Sequence, residues 1–331
     1  MIDFEFVSAS DMDGASRAAS AATARFVAGG TTLIDLMRLD VERPARVVDI
    51  NPLVHRDASL GTVSEMPGGG LRLGALARMS DVAWDARVRE RYPLVSQSLL
   101  VAASGQVRNM ATMGGNILQR TRCPYFRDVA TACNKREPGS SCSAIVGYNR
   151  SHAVLGGSDH CIATHPSDLA VALAALDATV HVSHAGSAER AIPFTEFHLL
   201  PDAHPEHETV LRPGDVIAAI EIPAVPYAKR SMYLKVRDRA SFAFALASAA
   251  VALDLNGGTI REARVALGGV GTKPWRSHEA ERALAGKPAN GGTFRAAADA
   301  AMAGARPYKD NAFKVELAKR TLVRALTELS T

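Results

Sequence analysis

Gly105-Gln106-Val107-Arg108-Asn109-Met110-Ala111-Thr112-Met113-Gly114-Gly115-Asn116 opens the stretch around which the chain is organised. The same stretch holds all four cysteines, Cys123, Cys133, Cys142 and Cys161, and closes on Thr164-His165-Pro166-Ser167-Asp168-Leu169. A glycine pair beside Thr and Asn predicts a loop whose backbone N–H groups can approach an anion closely, which a Cβ would prevent. Every cysteine falling just after such a loop points to a metal centre beside a nucleotide site. The bland readings are four ordinary thiols, or two disulfides in an exported protein. The spacing C-x9-C-x8-C-x18-C contains no C-x2-C knuckle. Four soft thiolates suit either iron–sulfur or zinc, and spacing alone does not choose.

Working towards the N-terminus, Arg25-Phe26-Val27-Ala28 reads as a strand running into Gly29-Gly30-Thr31-Thr32. Leu33, Ile34, Leu36, Met37 and Leu39 then carry a helical pattern. Strand, glycine turn and helix in that order aim helix N-terminal amides at whatever sits over the turn, as a pyrophosphate would. Tight turns without ligands share the pattern. Residues 3–7 read as an edge strand, 11–23 as a helix, and 46–50 and 71–75 as strands, with Gly68-Gly69-Gly70 a hairpin turn before the last. Residues 80–90 and 94–103 read as helices.

Towards the C-terminus, 168–176 reads as a helix and 179–182 as a strand. Residues 185–215, rich in Pro, His and acids, read as a loop at a domain junction. Residues 216–222, 232–236, 244–253 and 263–267 read as strands of an antiparallel sheet. Helices follow at 275–286, 292–304 and 310–329.

The 331 residues allow two or three domains, and 47% apolar against 22% charged residues allows a substantial core. Basic residues number 38 and acidic residues 34, a dispersed excess of +4, and aromatics are 5%. Neither figure suits a nucleic-acid surface. No apolar run reaches the roughly 20 residues of a membrane span. Met1-Ile2-Asp3-Phe4-Glu5 lacks the basic and apolar regions of a signal peptide.

Three motifs together resemble a known family. Val27-Ala28-Gly29-Gly30-Thr31-Thr32-Leu33, Ala111-Thr112-Met113-Gly114-Gly115-Asn116 and Pro166-Ser167-Asp168-Leu169 resemble the two FAD loops and the following segment of the medium subunit of molybdenum hydroxylases. That is the xanthine dehydrogenase, carbon monoxide dehydrogenase and aldehyde oxidoreductase family. The resemblance implies an α+β fold. Residues 1–222 would form a two-part FAD-binding domain of the vanillyl-alcohol-oxidase/CO-dehydrogenase flavoprotein type. Residues 223–331 would form a smaller C-terminal domain with an antiparallel sheet and helices.

It also implies roles for single residues. Ala28, Gly29, Gly30, Thr31, Thr32 and Leu33 would wrap the FAD pyrophosphate, with Thr31 and Thr32 adding hydroxyl donors and Thr31 doubling as a helix cap, and Phe26, Val27 and Ile34 would complete this part of the cofactor site. Thr112, Gly115 and Asn116 would hold the other side of the diphosphate and the ribityl chain, and Ala103 falls near the adenine. Asp168 would accept from flavin hydroxyls or cap the helix that follows. Ile217 would pack on the isoalloxazine or simply in the core. Lys235 would approach the flavin, where a cation favours the anionic reduced state, or point to solvent. No catalytic residue beyond the flavin is expected on this chain.

In most of the family the second glycine loop runs almost directly into the Ser-Asp segment. The insert at about 117–163, with Gln119-Arg120-Thr121-Arg122-Cys123-Pro124-Tyr125-Phe126 and Cys133-Asn134-Lys135-Arg136, resembles the flavin subunit of bacterial periplasmic aldehyde oxidoreductases. That resemblance implies a [4Fe–4S] cluster on Cys123, Cys133, Cys142 and Cys161, with Arg120, Arg122, Lys135 and Arg136 offsetting thiolate charge or forming a solvated face. It implies a large partner subunit with the molybdenum cofactor, a small partner with two [2Fe–2S] clusters, and an external electron acceptor. It implies a periplasmic location by co-export with a leader-bearing partner, the cytoplasm being the alternative. The other functional readings are the flavin subunit of a hydroxybenzoyl-CoA-type reductase, a free-standing flavin oxidoreductase, and a zinc-stapled nucleotide-binding interaction protein.

Overall fold

The computed structural model describes residues 1–331. The first unit alternates strand and helix: β1 (Glu5–Ser8), α1 (Met12–Ala18), β2 (Ala24–Val27), α2 (Leu33–Arg38) and β3 (Arg46–Asp49). Its three strands are parallel in the order β1-β3-β2, so β3 is central, and Val47 and Val48 are buried on its two faces. The helix expected over 11–23 stops at Ala18, and Asp11 caps it by accepting from the Gly14 amide.

The second unit is built on a mixed-connection antiparallel sheet. It runs through β4 (Val63–Glu65), β5 (Leu71–Gly74) and five short helices: α3 (Met79–Trp84), α4 (Ala86–Arg91), α5 (Pro93–Leu100), α6 (Gly105–Met110) and α7 (Met113–Ile117). The cysteine-bearing segment adds α8 (Pro124–Arg127) and α9 (Ser143–Val146), followed by α10 (Asp168–Ala175), β6 (Thr179–Ser183), β7 (Arg190–Pro193), α11 (Phe194–Phe197) and β8 (Val216–Ile222). The sheet order is β4-β5-β8-β6-β7. As the central strand, β8 buries Val216 through Ile220, which explains its unbroken apolar run. All eight residues of α10 are buried, as a helix apolar on every side must be.

Two expectations change here. The stretch read as an anion-binding loop, 105–116, is largely helical, because Ser104 and Thr112 cap α6 and α7. Residues 185–215 are not a junction between domains. They supply β7 and α11, and Phe194 and Phe197 plug the core of the second unit.

The third unit is an antiparallel sheet of β9 (Ser231–Val236), β10 (Ala247–Asn256), β11 (Thr259–Gly268) and β12 (Trp275–Arg276), in the order β12-β11-β10-β9. Helices α12 (His278–Leu284), α13 (Gly291–Met302) and α14 (Phe313–Ser330) cover it. On α14, Ala318, Leu322, Ala325 and Leu326 make one apolar stripe at helical spacing. The helix expected from residue 275 begins at His278, since Trp275 and Arg276 pair with β11.

The cysteine segment is stitched to this third unit. Val154 and Leu155 amides donate to Val270 O at 2.9 and 3.0 Å, and the Arg306 amide donates to Val154 O at 2.7 Å. Lys314, fully buried, donates through Nζ to the carbonyls of Ser151 (3.1 Å) and His152 (2.9 Å) and to that of Gly269. These bonds satisfy an ammonium that burial would otherwise make costly, though burial still lowers its pKa to about 7.

Candidate flavin cleft and cysteine centre

A cleft of about 1090 Å³ lies where the units meet. Its walls include Phe26 through Leu33, Thr112, Gly115, Asn116, Asp168, Ile217 and Lys235, together with Ala103. Ile34, expected among the flavin residues, lies off the cleft, with its side chain under Gly30.

The two glycine turns touch. A Cβ on Gly29 would sit 2.0 Å from the Met110 carbonyl oxygen and 3.0 Å from the Ala111 Cα, so only glycine permits this approach. Gly30 adopts φ +70°, a left-handed conformation that glycine tolerates. Two side chains absent from the sequence reading hold the turns in place. Asn51 Nδ2 donates to Ala28 O at 2.9 Å, while Arg78 donates to Met110 O and, at 3.2 Å, to Asn51 Oδ1.

Carbonyls of both turns are thus engaged, whereas none of the six amides from Ala28 to Leu33 donates a hydrogen bond within the chain. Thr32 occupies the cap position of α2 without a side-chain cap bond, so the capping role expected of Thr31 is not found. Consecutive unpartnered amides at a helix N-terminus make a ready site for a diphosphate.

At the second turn, Thr112 is buried and its hydroxyl accepts from the Gly115 amide at 3.3 Å. Asn116 Oδ1 accepts from Ser167 Oγ at 2.5 Å, joining this turn to the start of α10. Ser167, not Asp168, caps α10, accepting from the Ala170 amide at 3.0 Å. That frees the Asp168 carboxylate, which is 5% exposed, to accept from Lys235 Nζ at 2.7 Å and Tyr233 OH at 2.7 Å. Burial raises the Asp168 pKa, and Lys235 opposes that rise. Lys235 does not point to solvent: its side chain is 2% exposed and also donates to Val101 O at 3.2 Å. A buried ion pair therefore forms part of the cleft wall. Tyr233 was missed, although it shares a strand face with Lys235 at a spacing of two.

The four cysteines are free thiols gathered with Leu36, Phe126, Ala144, Ile162 and Ala163 in one small core. Cys142 is half-buried and the other three are buried. Cys133 and Cys142 oppose each other in an antiparallel bridge. Cys123 and Cys142 are the residues before α8 and α9, so helix-initial amides face sulfur: Tyr125 and Phe126 towards Cys123, Ala144 and Ile145 towards Cys142. Burial pushes the Cys123 thiol up to about 12 and Cys161 up to about 11, with Lys135 opposing the latter.

The basic residues flanking the cysteines are not a solvated face. Arg120 pairs with Glu42 and, at 2.7 Å, with Glu208, and stacks on Phe126 at 4.6 Å. Lys135 bonds Glu208 at 2.8 Å, Arg136 donates to the carbonyls of Tyr125 and Phe126, and Arg122 lies over Phe244. Arg127 clamps Asp35 of α2 through two bonds of 2.7 and 3.1 Å. Lys135 and Cys161 also line the cleft, so the cysteine centre and the glycine turns share a wall.

Residues 2–225 match the family described as the FAD binding domain in molybdopterin dehydrogenase, and residues 232–329 match the CO dehydrogenase flavoprotein C-terminal domain. The chain is 47% identical over 305 residues to the aldehyde oxidoreductase FAD-binding subunit PaoB of Escherichia coli, covering 92% of this chain and 91% of that protein. It is 27% identical to the glyceraldehyde dehydrogenase medium chain of Sulfolobus acidocaldarius, covering 92% and 90%. A solved structure of reconstituted CO dehydrogenase from Oligotropha carboxidovorans shares the fold, with TM-score 0.77, 20% identity and coverage of 100% and 99%. The chain belongs to the FAD-binding flavoprotein subunits of the molybdenum hydroxylase family, and is an oxidoreductase subunit.

Proposed function

We propose that this chain is the FAD- and [4Fe–4S]-carrying electron-transfer subunit of a molybdenum-dependent aldehyde oxidoreductase. A large partner subunit holds the molybdenum cofactor and oxidises an aldehyde with water to a carboxylate. A small partner carries two [2Fe–2S] clusters, and electrons leave this chain for an external acceptor. The aldehyde class rests on the 47% identity to a protein of that name. FAD bound here would supply a carrier that takes electrons singly and releases them singly or in pairs.

The observation that carries the flavin assignment is the run of six unpartnered amides from Ala28 to Leu33 in the cleft wall. They would hold the diphosphate, and Gly29 fixes their position against the second turn. Lys235, held by Asp168, would present a fixed positive charge along the cleft.

Cys123, Cys133, Cys142 and Cys161 would hold the cluster, and two features support that. The four thiols gather in one small core. Backbone amides already face the sulfurs. A periplasmic location by co-export with a leader-bearing partner completes the reading, and cell fractionation tests it.

The decisive experiment is purification with native partners, followed by flavin, iron and zinc analysis and a visible spectrum. Flavin bands over a broad iron–sulfur shoulder are expected, with four irons on this chain beyond those of the small subunit. A flavin spectrum with zinc and no additional iron overturns the cluster, and a colourless chain overturns both.

A further inference from the structure

His152 sits against the cysteine centre. It is 2% exposed, and its Nε2 lies 3.1 Å from Cys123 Sγ. The residue is fixed from both sides. Its amide donates to Asn149 O at 2.9 Å, and its carbonyl accepts from Lys314 Nζ at 2.9 Å and Asn311 Nδ2 at 3.3 Å. Asn149, itself fully buried, is tied to Asp310 by two bonds of 3.3 and 3.0 Å. The backbone that carries the imidazole is therefore held beside Cys123 by contacts from the third unit.

Its other nitrogen decides the tautomer. Nδ1 is buried with no hydrogen-bond partner. A hydrogen there would be a buried donor without an acceptor, while Nε2 would face sulfur with only a lone pair. Placing the hydrogen on Nε2 directs the donor at Cys123. An iron-bound thiolate carries no proton and can only accept, so the contact then requires that tautomer.

Resting on the cluster reading above, we propose that His152 is a positioning residue that tunes the iron–sulfur centre: its Nε2–H donates to Cys123 Sγ and raises the reduction potential. Hydrogen bonds to ligand sulfurs withdraw electron density from the cluster and favour its reduced form. The bond also orients the Cys123 side chain, which no side chain other than His152 contacts by hydrogen bond.

The test compares the intact complex with His152→Leu and His152→Gln by iron analysis and by redox titration followed by electron paramagnetic resonance. Four irons beyond those of the small subunit are expected in all three. The midpoint potential is expected to fall in His152→Leu and to return towards the wild type in His152→Gln, whose amide can donate. An intact cluster with an unchanged potential in His152→Leu overturns the proposal. A three-iron signal overturns it too, because His152 would then be a ligand. Where the leucine variant fails to fold, the wild-type Fe–S stretching frequencies in H2O and D2O serve. A deuterium shift is expected from an N–H···S bond, and no shift overturns it. A wild-type chain without iron fails the cluster reading itself, a separate result.

Discussion

Replacing Gly29 with alanine adds one carbon, and the structure dictates where it goes. The new Cβ would lie 2.0 Å from the Met110 carbonyl oxygen, against an ordinary minimum of about 3.0 Å, so the two turns must part by about 1 Å. Neither side can yield by a rotamer change, because the obstacle is backbone that Arg78 also holds. Parting the turns withdraws one or two amides from a diphosphate lying across them. Each charge-assisted bond is worth roughly 1.5–3 kcal/mol, so a loss of roughly 1.5–6 kcal/mol follows, or roughly 10- to 20,000-fold weaker FAD binding. The assay is titration of FAD into deflavinated complex, followed by flavin fluorescence, with circular dichroism confirming the fold. Gly68→Ala is the control, since a Cβ there meets nothing within 4 Å. Wild-type FAD affinity in a folded Gly29→Ala complex would refute the idea that contact between the turns sets the amide cradle.

Three further outcomes are expected. Lys235→Met strands the Asp168 carboxylate in the cleft wall and should cost about 3–5 kcal/mol in thermal or denaturant unfolding, while adding Asp168→Asn recovers much of it. Strictly additive effects would mean the pair is not coupled. The Glu208 carboxylate is held at about 2 by Arg120 and Lys135 against burial, below its ordinary 4.5. Because the folded pKa is depressed, the unfolded chain binds more protons between these values, so this stabilisation is full above pH 4.5 and fades as pH falls towards 2. At most about 3 kcal/mol is at stake. Glu208→Gln should flatten that acid limb of a melting-temperature profile, and an unchanged slope would dismiss the cause. Cys142→Ser should remove iron and loosen the insert; an unchanged iron content rules Cys142 out as a ligand.

Much of this was legible because local chemistry and final placement coincide. The Gly29-Gly30 turn could be read from sequence because a strand, a glycine pair and a helix follow in order. The apolar run of β8 and the stripe on α14 announced burial directly. The Gly105–Asn116 stretch misled because glycine pairs suggest loops, whereas Ser104 and Thr112 caps outweigh the small helical penalty of glycine. Long-range pairs left no local trace. Lys235 and Asp168 stand 67 positions apart, and Arg120 meets Glu42 and Glu208 across 78 and 88. Asn51 and Arg78, which brace the turns, look like ordinary loop residues in sequence.

Lys314 ties the start of the last helix to the carbonyls of Ser151 and His152, beside the cysteines. Seating that helix brings Asn311 and Lys314 onto the loop, where together they give four hydrogen bonds to the carbonyls of Ser151, His152 and Ala153. If the proposed cluster orders this loop, reciprocity requires that it also fasten the far end of the chain. On that reading, removing the iron should release α14 to hydrogen exchange before the sheet beneath it, making the final helix a distant gauge of whether the cysteine centre is filled.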